Sequence, residues 1–220
     1  MAVIIINPNS TAAMTDAMVD TGRAAAPAFA IEGWTSTGGP PAIQGAEDGE
    51  AATPPLLRLV DKAAAAGADG IIIGCFDDTA LAKAAQRAAC PVIGIGQAAY
   101  HYCALRQWRF SVVTTLPVAV PIIEGNIAAC GLSHHLARVR ASNVPVLDLE
   151  RGPESAAQLI LNEAEDAIRQ DGIDAIILGC AGMTKVVQTV RSALDFRIID
   201  PVTAAIRCMG WLHPSLDQRP

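Results

Sequence analysis

The sequence predicts an α/β fold of two similar lobes with parallel sheets and a cleft between them, and two observations carry this prediction. The first is an internal repeat, in which residues 67–75 (GADGIIIGC) recur as residues 172–180 (GIDAIILGC). The second is the alternation of short β-branched runs with alanine-rich stretches, which is typical of buried parallel strands covered by helices. Together they indicate that one α/β lobe is duplicated within the chain.

Length and composition agree with this fold class. The 220 residues are enough for two lobes of about 100 residues each. Hydrophobic residues make up 51% of the chain and charged residues 17%, a composition that supplies a sizeable core and argues against disorder. We predict a first lobe over residues 1–98 and a second over residues 99–204, with residues 205–220 returning to the first lobe.

Four strands and three helices are predicted in the first lobe. Residues 4–6 form a β-branched strand, and Ser10 or Thr11 can cap a helix over residues 12–25 that ends before Pro27. The second strand leads into a loop rich in glycine and proline. The remaining predicted elements are a strand at 29–35, the loop at 36–41, a helix at 54–66, the repeated strand at 71–73, a helix at 79–89 and a strand at 91–95.

The second lobe is predicted to repeat this order. It follows a helix over residues 100–106, and its first strand, residues 110–115, ends in small hydroxyl residues. Gly131 ends the next helix, residues 121–129. The remaining predicted elements are a strand at 144–149, a helix at 155–170, the repeated strand at 175–178, a helix at 184–194, a strand at 197–201 and a closing helix at 203–211.

The charge of the chain argues against several kinds of partner. A net charge of −6 and the absence of a run of lysine and arginine argue against nucleic acid and against an anionic membrane. Residues 1–7 lack the basic region and the length of a signal peptide, so we expect a cytoplasmic protein. The low share of charged residues, together with many alanines, favours a homo-oligomer.

Most of the six cysteines are interpreted as structural. No CxxC pair occurs, and a cytoplasmic chain with this much core does not need disulfides. The cysteines read as scattered buried thiols are Cys90, Cys103, Cys130 and Cys208.

Histidines offer little support for other chemistry. His134-His135 has no accompanying ligand spacing, so an exposed polar pair is expected there, with no metal and no cofactor. A Cys-His hydrolase that uses His101 or His213 stays open, because such partners meet only in the fold. It leaves the duplication of the cysteine unexplained.

Cys75 and Cys180 end the two copies of the repeat and are the candidates for chemistry. Each follows a buried parallel strand at its carboxyl end, beside a helix N-terminus, where open α/β sheets bind ligands and where the helix dipole favours a thiolate. Two thiols that face each other can act as base and acid on opposite faces of a carbon next to a carbonyl. Backbone N–H groups can stabilise the enolate oxygen. The repeat therefore predicts racemisation by general acid-base catalysis without a cofactor.

Four motifs in order carry a resemblance to a known family. They are INPNS within residues 1–10, GCFDD at 74–78, VTTL at 113–116 and GCAGM at 179–183. With these motifs the chain resembles the hydantoin racemase branch of the aspartate/glutamate racemase superfamily. The branch includes racemases of 5-substituted hydantoins and of allantoin, so the resemblance implies a neutral cyclic ureide as small-molecule substrate.

The resemblance also implies roles for particular residues. Cys75 and Cys180 match the two acid-base cysteines of the family. The implied substrate-binding residues are Asn7, Phe76, Asp77, Thr114, Thr115, Ala181 and Gly182. The residues that follow each cysteine, 77–78 and 181–182, are expected to begin helices and to offer backbone N–H groups to a carbonyl.

Alternatives within and outside the superfamily remain. Racemases of free amino acids resemble one another in placing Asn or Thr after each cysteine, whereas Phe76 and Ala181 stand here. An aspartate/glutamate-type racemase or a maleate-type isomerase is the nearest rival, and a non-catalytic small-molecule binding protein is the rival of another class. Decarboxylases of the superfamily keep only the second cysteine. The departures from the family pattern, which bear on substrate choice, are Gln44, Lys185 and Pro201.

Overall fold

Two four-stranded parallel sheets organise the computed structural model, which describes residues 2–212. The first sheet has the order β2-β1-β3-β4 and the second the order β6-β5-β7-β8. The equal order in both sheets confirms the predicted pair of α/β lobes. The strands are β1 (Val3–Asn7), β2 (Ile31–Thr35), β3 (Gly70–Ile73), β4 (Val92–Gly94), β5 (Phe110–Thr114), β6 (Leu136–Ala141), β7 (Ala175–Leu178) and β8 (Ile198–Ile199).

Helices cover the faces of both sheets. In α1, Met18 and Val19 are buried in one cluster with residues of the first sheet, whereas Met14, also buried, packs with Ala42 and Val146. The helices of the described chain are α1 (Ala12–Ala25), α2 (Ala46–Ala65), α3 (Leu81–Ala85), α4 (Ile95–Leu105), α5 (Val120–Ala129), α6 (Asp148–Arg151), α7 (Pro153–Gln170), α8 (Val187–Ala193) and α9 (Pro201–Leu212).

One apolar cluster joins the two lobes. It contains Ile5 and Ile72 from the first sheet and Val112 and Ile177 from the second. Tyr100 of α4 lies in the same cluster and is fully buried. The predicted boundary between residues 98 and 99 falls inside α4. The lobes therefore share a core on the side where α4 packs.

The last described helix, α9, packs against α1 and α4 of the first lobe. Its Asp200 cap accepts hydrogen bonds from the backbone N–H groups of Val202 and Thr203, and Pro201 is its first residue. Residues 205–212 of the segment predicted to return to the first lobe lie in this helix, and residues 213–220 lie outside the described residues. The Asp-Pro pair, a departure from the family pattern, thus begins α9.

The predicted strand at residues 144–149 is wrong. That segment is a loop and the start of α6, and its buried Val144 and Val146 flank Pro145. The strand beside β5 is β6, which contains a buried arginine, Arg140. Arg140 forms ion pairs with Asp171 at 2.6 Å and with Glu163 at 2.9 Å, and the pKa of Asp171 is lowered by this guanidinium. The Arg140 guanidinium can be buried because two carboxylates distant in sequence, Glu163 and Asp171, pair with it.

Two helix bounds also differ from the predictions. Helix α2 begins at Ala46 and continues through Pro54 and Pro55, whereas proline was expected to mark its first turn. Helix α3 is five residues long, because Asp78 (φ 48°) and Ala80 (φ 53°) turn the chain before it begins. The segment after Cys75 is therefore a loop rather than a helix start.

Candidate active site

A glycine precedes each candidate cysteine, and the structure gives the reason. A Cβ atom at Gly74 would lie 2.7 Å from Met18 Sδ, and one at Gly179 would lie 2.7 Å from Val112 Cγ1. Both distances are shorter than any real contact, so close packing demands glycine at both positions. The N–H groups of Gly74 and Gly179 extend the sheets by donating to Ile6 and Val113, and Cys75 and Cys180 follow at the strand ends.

Cys75 and Cys180 line one cavity between the lobes. Its volume is about 30 Å³, space for one or two water molecules. Asn126 of α5 donates to the backbone oxygen of Asp77 at 2.8 Å and so ties the second lobe to the loop that carries Cys75. The lining residues are Asn9, Met14, Ile43, Gly74, Cys75, Phe76, Asp77, Thr114, Thr115, Ala119, Val146, Gly179, Cys180, Ala181 and Gly182.

Each thiol has two hydrogen-bond donors. Cys75 lies beside the backbone N–H of Asp77 and the hydroxyl of Thr79, which both lower its pKa, and the Thr79 hydroxyl is buried and forms no hydrogen bond in this state. The backbone N–H groups of Gly182 and Met183 lie near Cys180 and lower its pKa, although the Met183 N–H donates to the backbone oxygen of Cys180 at 3.1 Å. Both residues belong to a 3₁₀ turn over residues 181–185. Both sites are thus built to stabilise a negative sulfur.

Burial nevertheless dominates the acidity of both thiols. It raises the pKa of Cys180 to about 12 and raises the pKa of Cys75 further, and the nearby Asp77 carboxylate adds to both shifts. The four donors lower both pKa values without cancelling the effect of burial. The expected preference for a thiolate at each strand end is therefore outweighed, and both thiols are protonated at neutral pH in this state.

Two carboxyl groups follow Cys75 and differ in surroundings. Asp77 lines the cavity, and burial raises its pKa to about 6. The Asp78 carboxylate accepts the N–H groups of Gly96 and Gln97, at 3.0 and 2.7 Å, at the start of α4. The N–H of Asp78 donates to the backbone oxygen of Cys75, so the expectation that it is available to a substrate carbonyl is wrong.

The structure brings most of the predicted binding residues into the cavity. Thr114 and Thr115 line it from the second lobe, and the Thr114 hydroxyl donates to the backbone oxygen of Gly179 at 3.0 Å. Ala181 and Gly182 line it beside Cys180. Phe76 also reaches it, with its ring packed edge-to-face on Tyr100 at 5.4 Å between centroids.

Asn7 has a different position from the other predicted binding residues. It is fully buried, and its amide donates to Asn9, Thr11 and Thr15. Its neighbour Asn9 lines the cavity instead. The Asn-Pro-Asn motif was the signal for both residues, but the sequence does not reveal which amide faces the cleft. A substrate contact by Asn7 stays a prediction.

Gln44 and Lys185, which the sequence analysis named as departures from the family pattern, connect segments that flank the cavity. The Gln44 side-chain oxygen accepts the N–H of Val146 at 2.9 Å, which links a first-lobe loop to the second lobe. Lys185 forms an ion pair with Glu150 and so connects the turn after Cys180 to α6. Gln44 therefore bears on the shape of the cleft, whereas Lys185 pairs with a carboxylate, Glu150, whose charge raises the pKa of Cys180.

Histidine does not join the paired thiols within residues 2–212. His101 bonds to the backbone oxygen of Gln97 at 2.8 Å and lies outside the cavity lining, and His213 lies outside the described residues. His134 and His135 have rings 4.2 Å apart. In the described part of the chain, no three side chains of His, Cys, Asp or Glu gather as a metal site.

None of the helices within residues 2–212 has the length and apolar character needed to cross a bilayer.

The fold and the site define a class of enzyme. Two duplicated parallel-sheet lobes present one thiol from each side of the cleft, an arrangement suited to proton transfer on opposite faces of one carbon. A family model described as Asp/Glu/Hydantoin racemase matches residues 3–209, and the protein is a racemase, a kind of isomerase. The chain belongs to this family.

Individual relatives agree with the family. A hydantoin racemase from Rhizobium meliloti is 40% identical over 94% of this chain and 86% of its own length. Among solved structures, an allantoin racemase from Klebsiella pneumoniae has a TM-score of 0.93 and 34% identity, covering 99% of this chain and 89% of that one. An allantoin racemase from Pseudomonas fluorescens has a TM-score of 0.91 and 31% identity, covering 96% of this chain and 90% of that one.

Proposed function

We propose that the protein racemises 5-substituted hydantoins or allantoin, with Cys75 and Cys180 as the opposed base and acid and without a cofactor. The relatives named hydantoin racemase and allantoin racemase support a neutral five-membered ureide as the substrate. The observation that carries the proposal is the cavity itself, which presents two thiols from opposite lobes to one small space.

The charge of the cavity favours a neutral ring over a free amino acid. No lysine, arginine or histidine lines it among the described residues, so an α-carboxylate would find no counter-charge there. The Asp77 carboxyl group lies in the same lining and, when ionised, repels an anion. This supports the cyclic ureide over the aspartate/glutamate-type and maleate-type alternatives.

The two sulfurs, of Cys75 and Cys180, can transfer a proton to and from the same ring carbon. One sulfur, as thiolate, takes the proton from the ring carbon next to the carbonyl, and the electron pair moves onto the carbonyl oxygen as an enolate. The other sulfur, as thiol, gives its proton to the opposite face of the same carbon. The proton and the charge have exchanged between the sulfurs, and the reverse reaction restores them. The sulfur that acts as base must first lose its own proton to solvent, and because burial disfavours that thiolate, the two donor groups beside it lower the barrier to this step.

The test is exchange and inversion at the ring carbon in D₂O. Enantiopure L-5-alkylhydantoins and allantoin are followed by NMR and polarimetry with wild type, Cys75→Ser and Cys180→Ser, beside an enzyme-free sample. The control variant is Cys90→Ser, whose thiol lies outside the cavity. We expect inversion by wild type and Cys90→Ser, and its loss in each of the other two.

Three outcomes would contradict parts of the proposal. Wild type that exchanges neither ring faster than buffer refutes the cyclic-ureide assignment. Inversion that persists in Cys75→Ser or Cys180→Ser refutes the two-thiol mechanism. Saturable binding of a ring without exchange supports the non-catalytic binding protein instead.

We also propose that the enzyme works in the cytoplasm as a homo-oligomer. Leu105 and Trp211 expose 67% and 62% of their surface beside one apolar groove, a pattern that supports self-association. Sedimentation at several protein concentrations tests this, and a monomer throughout contradicts it.

A further inference from the structure

Three arginines surround a second cavity, away from the paired thiols. Arg191 lies in α8, Arg197 precedes β8 and Arg207 lies in α9. The cavity has a volume of about 220 Å³ and shares no lining residue with the cleft that contains Cys75 and Cys180. We call it the arginine pocket, and its remaining lining residues are Tyr102, Trp108, Ile198, Ile199, Asp200, Thr203 and Ala204.

The positive charge of the arginine pocket exceeds the negative charge of its lining, which has three arginines and Asp200. Within residues 2–212, none of the three arginines forms an ion pair with a carboxylate. Asp200 is the acidic residue of the lining, and its two oxygens already accept three hydrogen bonds at the start of α9. All three arginines are exposed, so solvent screens their mutual repulsion, and an anion between them gains attraction from each guanidinium. This is an unusual arrangement in a chain with a net charge of −6.

Two of the guanidinium groups are held in place by the backbone. Arg191 donates through Nε and Nη2 to the backbone oxygen of Ile198, at 3.2 and 3.0 Å. Arg197 donates to the backbone oxygen of Asp174 at 3.3 Å and lies over the Trp108 ring, 5.0 Å from its centroid. Each retains N–H groups that these bonds do not use, since a guanidinium has five. Side chains already fixed lose less freedom when they bind a ligand.

We propose that the arginine pocket binds a phosphate group, either inorganic phosphate or the end of a small phosphate monoester. Guanidinium groups match phosphate oxygens in charge and in planar geometry. A second guanidinium, from Arg106, also lies over Trp108 at 4.5 Å, so this ring adds to the cationic surroundings rather than offering a face for a nucleobase.

Phosphate in this position bridges the two lobes. Arg191 belongs to the second lobe, whereas Arg207 belongs to α9, which packs on the first. A bound anion therefore ties α9 to α8 and stabilises the folded enzyme by mass action.

The test is titration of the full chain with inorganic phosphate, observed by ³¹P line broadening and by thermal unfolding at constant ionic strength in chloride. Arg197→Gln and Arg207→Gln remove one guanidinium each from the pocket. Arg87→Gln is the matched control, because it removes an exposed guanidinium that pairs with Asp61 outside the pocket. Racemase activity and circular dichroism verify that each variant is folded.

Saturable binding and a phosphate-dependent rise in Tm are expected for wild type and Arg87→Gln. Affinity is expected to fall by about tenfold or more in each pocket variant, as for the loss of a charged hydrogen bond. Tighter binding of glycerol 3-phosphate assigns the pocket to a monoester, and equal binding assigns it to free phosphate. The proposal is overturned by absent saturable binding in wild type, by unchanged affinity in the pocket variants, or by tighter binding of citrate.

Discussion

Thr79→Val should lower the activity that depends on Cys75 without lowering the stability of the protein. Valine has nearly the shape of threonine but lacks the hydroxyl, which is buried, lies beside the Cys75 sulfur and forms no hydrogen bond while Cys75 is a thiol. A hydrogen bond to a charged group contributes about 1.5–3 kcal/mol, so kcat/KM should fall by about 10- to 100-fold when the Cys75 thiolate loses this donor.

The same change should raise stability. A buried hydroxyl without a partner costs about 1–3 kcal/mol in the folded state, so its removal should raise Tm or leave it unchanged. Thr184 is the internal control, because it occupies the position in the second repeat that Thr79 occupies in the first, and its hydroxyl is also buried without a partner. The donors to Cys180 are backbone N–H groups, so Thr184→Val should keep its kcat/KM.

Polarimetric rates for both enantiomers and thermal unfolding provide the measurements. The two enantiomers have equal free energies, so kcat/KM must fall by the same factor in both directions. An unchanged kcat/KM in Thr79→Val, or an equal loss in Thr184→Val, would refute the assignment of Thr79 as a donor to the thiolate.

Three further changes test the surroundings of the cleft. Burial raises the pKa of Asp77 from 3.8 to about 6 and that of Asp78 to about 8, so the folded state binds more protons than the unfolded chain in this range and loses stability as pH rises through it. Asp77→Asn should weaken this dependence of Tm on pH below about pH 6 and leave the part that Asp78 contributes. Asp171→Asn weakens the partner of buried Arg140 and should lower the free energy of unfolding in urea by about 3 kcal/mol. Gln44→Ala removes the acceptor of the Val146 N–H and should raise KM more than it lowers kcat, whereas Gln44→Glu retains the oxygen and the KM.

Each of these changes has a contradicting outcome. A Tm profile of Asp77→Asn that falls as steeply as that of wild type between pH 3.8 and about 6 would show that Asp77 does not titrate there. Unaltered urea unfolding in Asp171→Asn would show that Glu163 alone compensates Arg140. Equal KM values for Gln44→Ala and Gln44→Glu would rule out the link between the lobes as a determinant of substrate binding.

The repeated segment allowed the fold to be predicted from the sequence. A strand that contains charged residues was not predicted. Strand β3 and strand β7 are continuous apolar runs, and these were located correctly because burial on both faces leaves no polar residue in them. Strand β6, with Arg138 and Arg140, lacked that signal. Arg140 is compatible with the interior only because Asp171 reaches it from a segment 31 residues away.

The same limit applies to the site. Cys75 and Cys180 were found because the duplication marks both, and the structure places them in one cavity. Asn9 and Val146 were missed as lining residues, because loop conformation decides which side chain faces the cleft. The repeat could have indicated Thr79, because a threonine stands four residues after each of the two cysteines.

The narrowness of the cleft has a kinetic consequence. A cavity of about 30 Å³ is smaller than a substituted five-membered ring, and the Gln44 and Asn126 hydrogen bonds tie the lobes across it. We therefore expect each turnover to include a separation of the lobes, a step in which no bond to the reacting carbon breaks. In the proposed mechanism, deuterium at that carbon slows the transfer between the sulfurs and leaves this opening untouched. The isotope effect on kcat is then expected to be smaller than the intrinsic one and to shrink further as solvent viscosity rises.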